Sequence, residues 1–208
     1  MVRIVTIIMC LTIGMNVCAS DYYKAYQSYY EHDYTTARNI LSQLSENGHV
    51  KATYNLGIMN LCGAGQKKNE VRAAYLIKQA ADQGHLEAQF NYASMLENGE
   101  GVGQDYLIAF DYYLRASLQG LEQAWFRIGT FYENGLGVEK DPRVAFRWYL
   151  QAAQGNNAEA QVRLATLYEQ GIGTEIDQSL ATMWKNISWI TLDLSGPEVG
   201  CPPHSKPY

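Results

Sequence analysis

The sequence predicts an all-α fold built of repeated helix pairs, and three observations carry that reading. Glycine pairs recur at Gly63/Gly65, Gly99/Gly101, Gly135/Gly137 and Gly171/Gly173, each pair thirty-six residues after the last. Two alanine columns keep the same step: Ala52, Ala88, Ala124 and Ala160, and Ala37, Ala73, Ala109, Ala145 and Ala181. Asn69, Asp105, Asp141 and Asp177 fill a third column ahead of segments with helical apolar spacing, the place of N-cap residues. A period of this length marks an array in which each unit buries its apolar face against its neighbours.

The elements follow in order. Residues 1–19, MVRIVTIIMCLTIGMNVCA, have a basic start at Arg3, an apolar stretch from Ile4 to Val17, and small residues at Val17 and Ala19. That three-part layout is a secretory signal peptide, with a mature chain expected to begin near Ser20. The apolar stretch falls short of the ~20 residues of a spanning helix, and no second such run follows. No membrane span is expected after cleavage, and the location is periplasmic or secreted. Residues 20–49 read as a capping helix pair that lacks the glycine loop but keeps Ala37 and Gly48 in phase. Four full units follow at 50–85, 86–121, 122–157 and 158–189. Residues 190–208, rich in proline and glycine, read as an irregular tail.

The third unit shows the logic. Ala124, Ile128, Phe131 and Tyr132 form one buried stripe of a first helix. Asp141 caps the second helix, Pro142 takes its first position, where a missing N–H costs nothing, and Ala145, Trp148, Tyr149 and Ala152 share a face. The alanines allow the two axes to approach to ~8–10 Å. Gly48, Gly84 and Gly120 close the second helices as left-handed residues. In the third unit Gly155 comes one residue early, and Asn156–Asn157 restores the phase. A Gly-x-Gly ahead of a helix also suits a phosphate cradle, but such a loop follows a strand and occurs once per site. These glycines follow helices and occur four times, so they reverse the chain.

Composition narrows the function. With 16 Lys+Arg against 21 Asp+Glu, a net charge of −5 and no basic block, nucleic acid is not an expected partner. Cys62 and Cys201 remain after signal removal, too few for a zinc site and with no Cys-x-x-Cys. His49 and His85 share a column at a helix start, and neither they nor His32 and His204 have metal-ligand spacing, so a solvated structural role is expected. Neither a metal, a cofactor nor a catalytic residue is expected. The glutamates Glu97, Glu133 and Glu169 are one repeat apart, ~10 Å, which is unlike a carboxylate pair sharing a proton. Five tyrosines, Tyr22, Tyr23, Tyr26, Tyr29 and Tyr30, crowd the capping helix, too many for one buried stripe.

Ala124, Ile128, Gly129, Tyr132, Gly135, Gly137, Val138 and Asp141, with Ala145, Trp148, Ala152 and Ala153, resemble the Sel-1-like repeat, a tetratricopeptide-like helical repeat. The resemblance covers about residues 50–189. It implies a right-handed α-α superhelix, or solenoid, whose first helices line a concave groove. The groove columns would be Tyr54/Phe90/Phe126/Val162, Asn55/Asn91/Arg127/Arg163, Leu61/Glu97/Glu133/Glu169 and Cys62/Asn98/Asn134/Gln170. Asparagine carries both donor and acceptor, which suits an extended peptide backbone.

The function so implied is an exported, non-enzymatic adaptor for a protein or peptide. Two alternatives stand beside it: a hydrolase of β-lactams or cell-wall fragments, as linked to a cysteine-rich branch of the family, and an accessory modulator of a secreted enzyme or host protein. The cysteine pairs of that branch are missing. Cys201 is the partner left to Cys62 in the mature chain, and a disulfide between them would bring the tail back along the groove.

Overall fold

The computed structural model describes residues 20–194, with side chains through residue 191, and every regular element among them is a helix. The first, α1, covers residues 20–30. It is followed by α2 (Tyr34–Glu46), α3 (Val50–Cys62), α4 (Glu70–Asp82), α5 (Leu86–Asn98), α6 (Tyr106–Leu118), α7 (Glu122–Asn134), α8 (Pro142–Gln154), α9 (Ala158–Gln170) and α10 (Gln178–Leu194). The signal-peptide reading and residues 195–208, Cys201 included, lie outside the described residues.

Side-chain caps start the second helices where the Asn/Asp column places them. Asn69, Asp105, Asp141 and Asp177 accept from the backbone N–H groups of Arg72, Ile108, Val144 and Leu180, at 2.9 to 3.1 Å. The same four residues donate their own N–H to Asn60, Leu96, Tyr132 and Tyr168 of the preceding helix, at 2.9 to 3.0 Å. Each cap therefore ties a second helix to the last turns of the first. Between them, Gly63, Gly135 and Gly171 take left-handed φ values of 70° to 73° and return their N–H to Met59, Phe131 and Leu167. Both ends of the loop are thereby determined, and the first and second helices from α2 to α9 all run 13 residues.

The described residues divide into two compact units. The first takes residues 20–88 with Glu100–Val102, and its core is Ala25, Ala37, Leu41, Leu44, Ala52, Leu56, Met59, Ala64 and Leu76. The second takes Gln89–Gly99 and the chain from Gly103 onward. A cluster of Ala145, Tyr149, Ala152, Ala153, Ala160, Leu164 and Leu167 sits in it, flanked by half-buried Trp125, Phe126, Phe146 and Tyr168. In both units the alanine columns are buried, none of the nine more than 2% exposed. Burial of small residues at every crossing is what the close helix approach requires.

Three expectations change. The final helix runs on to Leu194, so the irregular tail does not begin at residue 190. No Gly or Pro interrupts the sequence from Gln178 until Gly196 and Pro197, so nothing stops the helix at residue 190. The phase of the third unit never slips: Gly155 has φ −81°, and Asn156, at φ 63°, takes the left-handed position that Gly48, Gly84 and Gly120 hold elsewhere. Asparagine tolerates that region better than most side chains. The column histidines are not solvated bystanders either. His49 and His85 are half-buried N-caps whose Nδ1 atoms accept from Ala52 and Ala88 N–H.

Candidate interaction face

The face nominated from the sequence lies on the first helices, and in the second unit these are tied directly to each other. Arg127 of α7 reaches back to Glu97 of α5, with Nη2 2.5 Å from Oε2. Arg163 of α9 makes the same reach to Glu133 of α7, gripping both carboxylate oxygens, with Nε donating at 3.1 Å. A tyrosine from the intervening second helix completes each set. Tyr113 donates its hydroxyl to Glu97 at 2.8 Å, and Tyr149 donates to Glu133 at 2.7 Å.

These contacts set the electrostatics. Burial, with the Glu97 carboxylate beside it, pushes the Tyr113 phenol well above its usual range. Burial alone is the cause that lifts the Tyr149 phenol. Burial opposes the charge on Arg127, but its bond to Glu97 and the neighbouring Tyr113 outweigh that and hold the guanidinium more firmly protonated. Glu97 and Glu133 are 12% and 16% exposed in their side chains, so both carboxylates face protein more than solvent. Four nominated residues are thus partners of one another.

The aromatic column is also engaged. In the second unit Phe90 meets Tyr113 edge-on at 5.3 Å, and Phe126 meets Tyr149 at 5.5 Å. In the first unit Tyr54 stacks on His85 at 4.6 Å, and Asn55 Nδ2 donates to the Tyr22 hydroxyl at 2.8 Å. Asn91 lies half-buried on α5. Outward on the second unit are Val162 of the aromatic column and the ends of the first helices. Asn98, Asn134, Glu169 and Gln170 are all exposed. Asn98 and Asn134 each donate one N–H to their own helix, to Ser94 Oγ at 3.4 Å and to the Thr130 carbonyl at 2.9 Å.

Sequence reading passed over Tyr113 and placed Tyr149 on a helix face without joining it to Glu133. Their signal was present: both sit sixteen residues after a column glutamate, one repeat apart. Cys62 is buried and disulfide-bonded, and the pairing with Cys201 read from the sequence falls outside the described residues. On the capping helix Tyr23, Tyr26 and Tyr30 are exposed, while Tyr22 and Tyr29 are half-buried against the core. Surface depressions lie at repeat edges, one lined by Leu121, Glu122, Gln123 and Asn157 and another by Asp141, Arg143, Thr174 and Glu175. Among the described residues no group of His, Cys, Asp and Glu is placed to hold a metal ion, and no helix is long and apolar enough to cross a membrane.

The Sel1 repeat model matches residues 50–85, 86–121, 123–157 and 158–184. Among solved structures, the chain is similar to a Sel1 repeat protein from Oxalobacter formigenes, at 30% identity over 84% of this chain and 73% of that one, with a TM-score of 0.77. It is also similar to c5321, a protective antigen of uropathogenic Escherichia coli strains with an SLR fold, at 26% identity and a TM-score of 0.79. That match covers 85% of this chain but 39% of c5321. No curated protein matches the chain.

Proposed function

The chain belongs to the Sel1 repeat family, and from that premise we propose that it is an exported scaffold holding an extended protein segment along the face of α5, α7 and α9. Sel1 repeats generally mediate protein interactions. The carrying observation is the row of outward carboxamides, Asn98 and Asn134, continued by Gln170, one per repeat at the ends of the first helices. The arginines between them are already neutralised by Glu97 and Glu133, so this face offers hydrogen bonds rather than a strong positive field. Such a face favours a backbone over a phosphate or carboxylate ligand.

A photo-crosslinking side chain at position 134 tests the reading against one at Arg147, an exposed position on the neighbouring second helix. Crosslinks to one protein from position 134 and not from 147 are expected. Equal labelling from both would sink the assignment of the face. Export is proposed from residues 1–19, and intact-mass measurement on secreted protein should give a chain beginning near Ser20. Incubation with a chromogenic β-lactam separates the scaffold from the hydrolase alternative, and no turnover is expected.

A further inference from the structure

Two first helices, α3 and α5, are started by histidine. His49 Nδ1 accepts from Ala52 N–H at 3.1 Å, and His85 Nδ1 accepts from Ala88 N–H at 3.3 Å. Each ring is held flat against a tyrosine: His49 on Tyr22 at 5.0 Å and 19°, and His85 on Tyr54 at 4.6 Å and 25°. The same column in the second unit holds Leu121, with no side-chain cap, and Asn157, which accepts from Ala160 N–H at 2.8 Å. A histidine can make this cap only as the neutral Nε2–H tautomer, because protonation turns Nδ1 into a donor facing another donor. It also sets a positive charge at the positive end of the helix dipole.

Around His85 an acceptor waits for the charged form. Glu87 Oε2 lies 3.2 Å from the same Nδ1, and the imidazole is 11% exposed. The groups facing the ring are Tyr54 and Lys51 from α3 and Glu87 from α5 itself. From α4 the Ala80 carbonyl takes the His85 backbone N–H, while Lys78 and Asp82 pair with each other. Burial pulls the His85 imidazole below its ordinary range, Glu87 opposes that and Lys51 adds to it.

We propose that His85 makes the start of α5 acid-sensitive: protonation removes the cap, Nδ1–H donates to Glu87 Oε2 beside it, and the first turn of α5 opens. The Asn157 cap of the second unit has no proton to take up, so α9 stays closed. The chain itself thus supplies the non-titrating equivalent, and His85→Asn is the natural test variant.

Amide hydrogen exchange resolved by NMR reads the effect directly. Between about pH 7.5 and about pH 5, protection at Ala88 is expected to fall roughly five- to tenfold beyond the intrinsic change, the size of losing one N-cap, while Ala160 holds. In the His85→Asn variant the acid loss at Ala88 should vanish. Unchanged protection in the parent protein, or the same loss persisting in the variant, would overturn the proposal. Nitrogen chemical shifts of the parent protein's imidazoles need no variant: the Nε2–H tautomer at neutral pH is expected, and an Nδ1–H tautomer at His85 refutes the cap.

Discussion

Gly137, the second glycine of its loop, lies so close to Tyr106, the first residue of α6, that a Cβ on it would stand 2.6 Å from the Tyr106 carbonyl carbon. The contact recurs through the array, with Gly101 against Glu70 and Gly173 against Pro142, each the first residue of the preceding second helix. The glycine loop therefore does more than reverse the chain. It seats one repeat on the helix start of the repeat before it, where only a residue without a Cβ fits.

Gly137→Ala should then cost more than a left-handed φ alone. The conformation contributes about 1 kcal/mol, and forced separation from backbone adds about 1–3 kcal/mol. Gly84→Ala is the control, since Gly84 has φ +86° but nothing within 4 Å of its Cβ position. Urea midpoints should drop about two- to threefold further for the Gly137 variant than for the Gly84 variant. Equal drops would mean that the seat is slack.

The Glu97–Arg127 pair should contribute to folding before it contributes to any partner. Arg127→Ala leaves a mostly buried carboxylate with Tyr113 as its remaining partner, and destabilisation of about 1–2 kcal/mol is expected after allowing for the solvent that reaches the guanidinium. A double-mutant cycle with Glu97→Ala should return a coupling of roughly 1 kcal/mol. A coupling near zero would show the pair to be incidental. Loss of partner binding in Arg127→Ala alone would consequently say little about contact, and Asn134→Ala is the cleaner probe of the face.

Alkaline stability follows from the tyrosines. Burial and Glu97 raise the Tyr113 phenol above the ordinary tyrosine value of about 10, and burial raises Tyr149. An acid whose folded pKa is raised binds its proton more tightly folded than unfolded, so stability is complete below that ordinary value and falls as pH climbs through it. Thermal midpoints should decline above about pH 10, and the decline should be shallower in Tyr113→Phe. An identical slope in that variant would refute the assignment to Tyr113.

Ala145 is 2% exposed at the α8 crossing, within the cluster that holds Tyr149 and Leu164. Ala145→Leu should lower stability by about 1–3 kcal/mol through overpacking. An unchanged denaturant midpoint would show that the crossing has room.

The helices, their starts and their loops were legible in the sequence because each depends on atoms close along the chain. Asp141 caps the residue three positions on, and Gly135 bends the chain at its own φ. The thirty-six-residue step then carried these local signals from unit to unit. Asn156 and the end of α10 were misread for the same local reason: an asparagine can do a glycine's work, and helix can persist until a breaker arrives. The tertiary structure alone decided which polar residues are spent. Glu133 meets Arg163 thirty positions away and Tyr149 sixteen away only once the repeats stack, so nothing in any single unit distinguishes a groove charge from a staple between repeats. Asn98 and Asn134 stay outward because their columns point past that stack, a matter of packing direction that spacing along the chain does not contain.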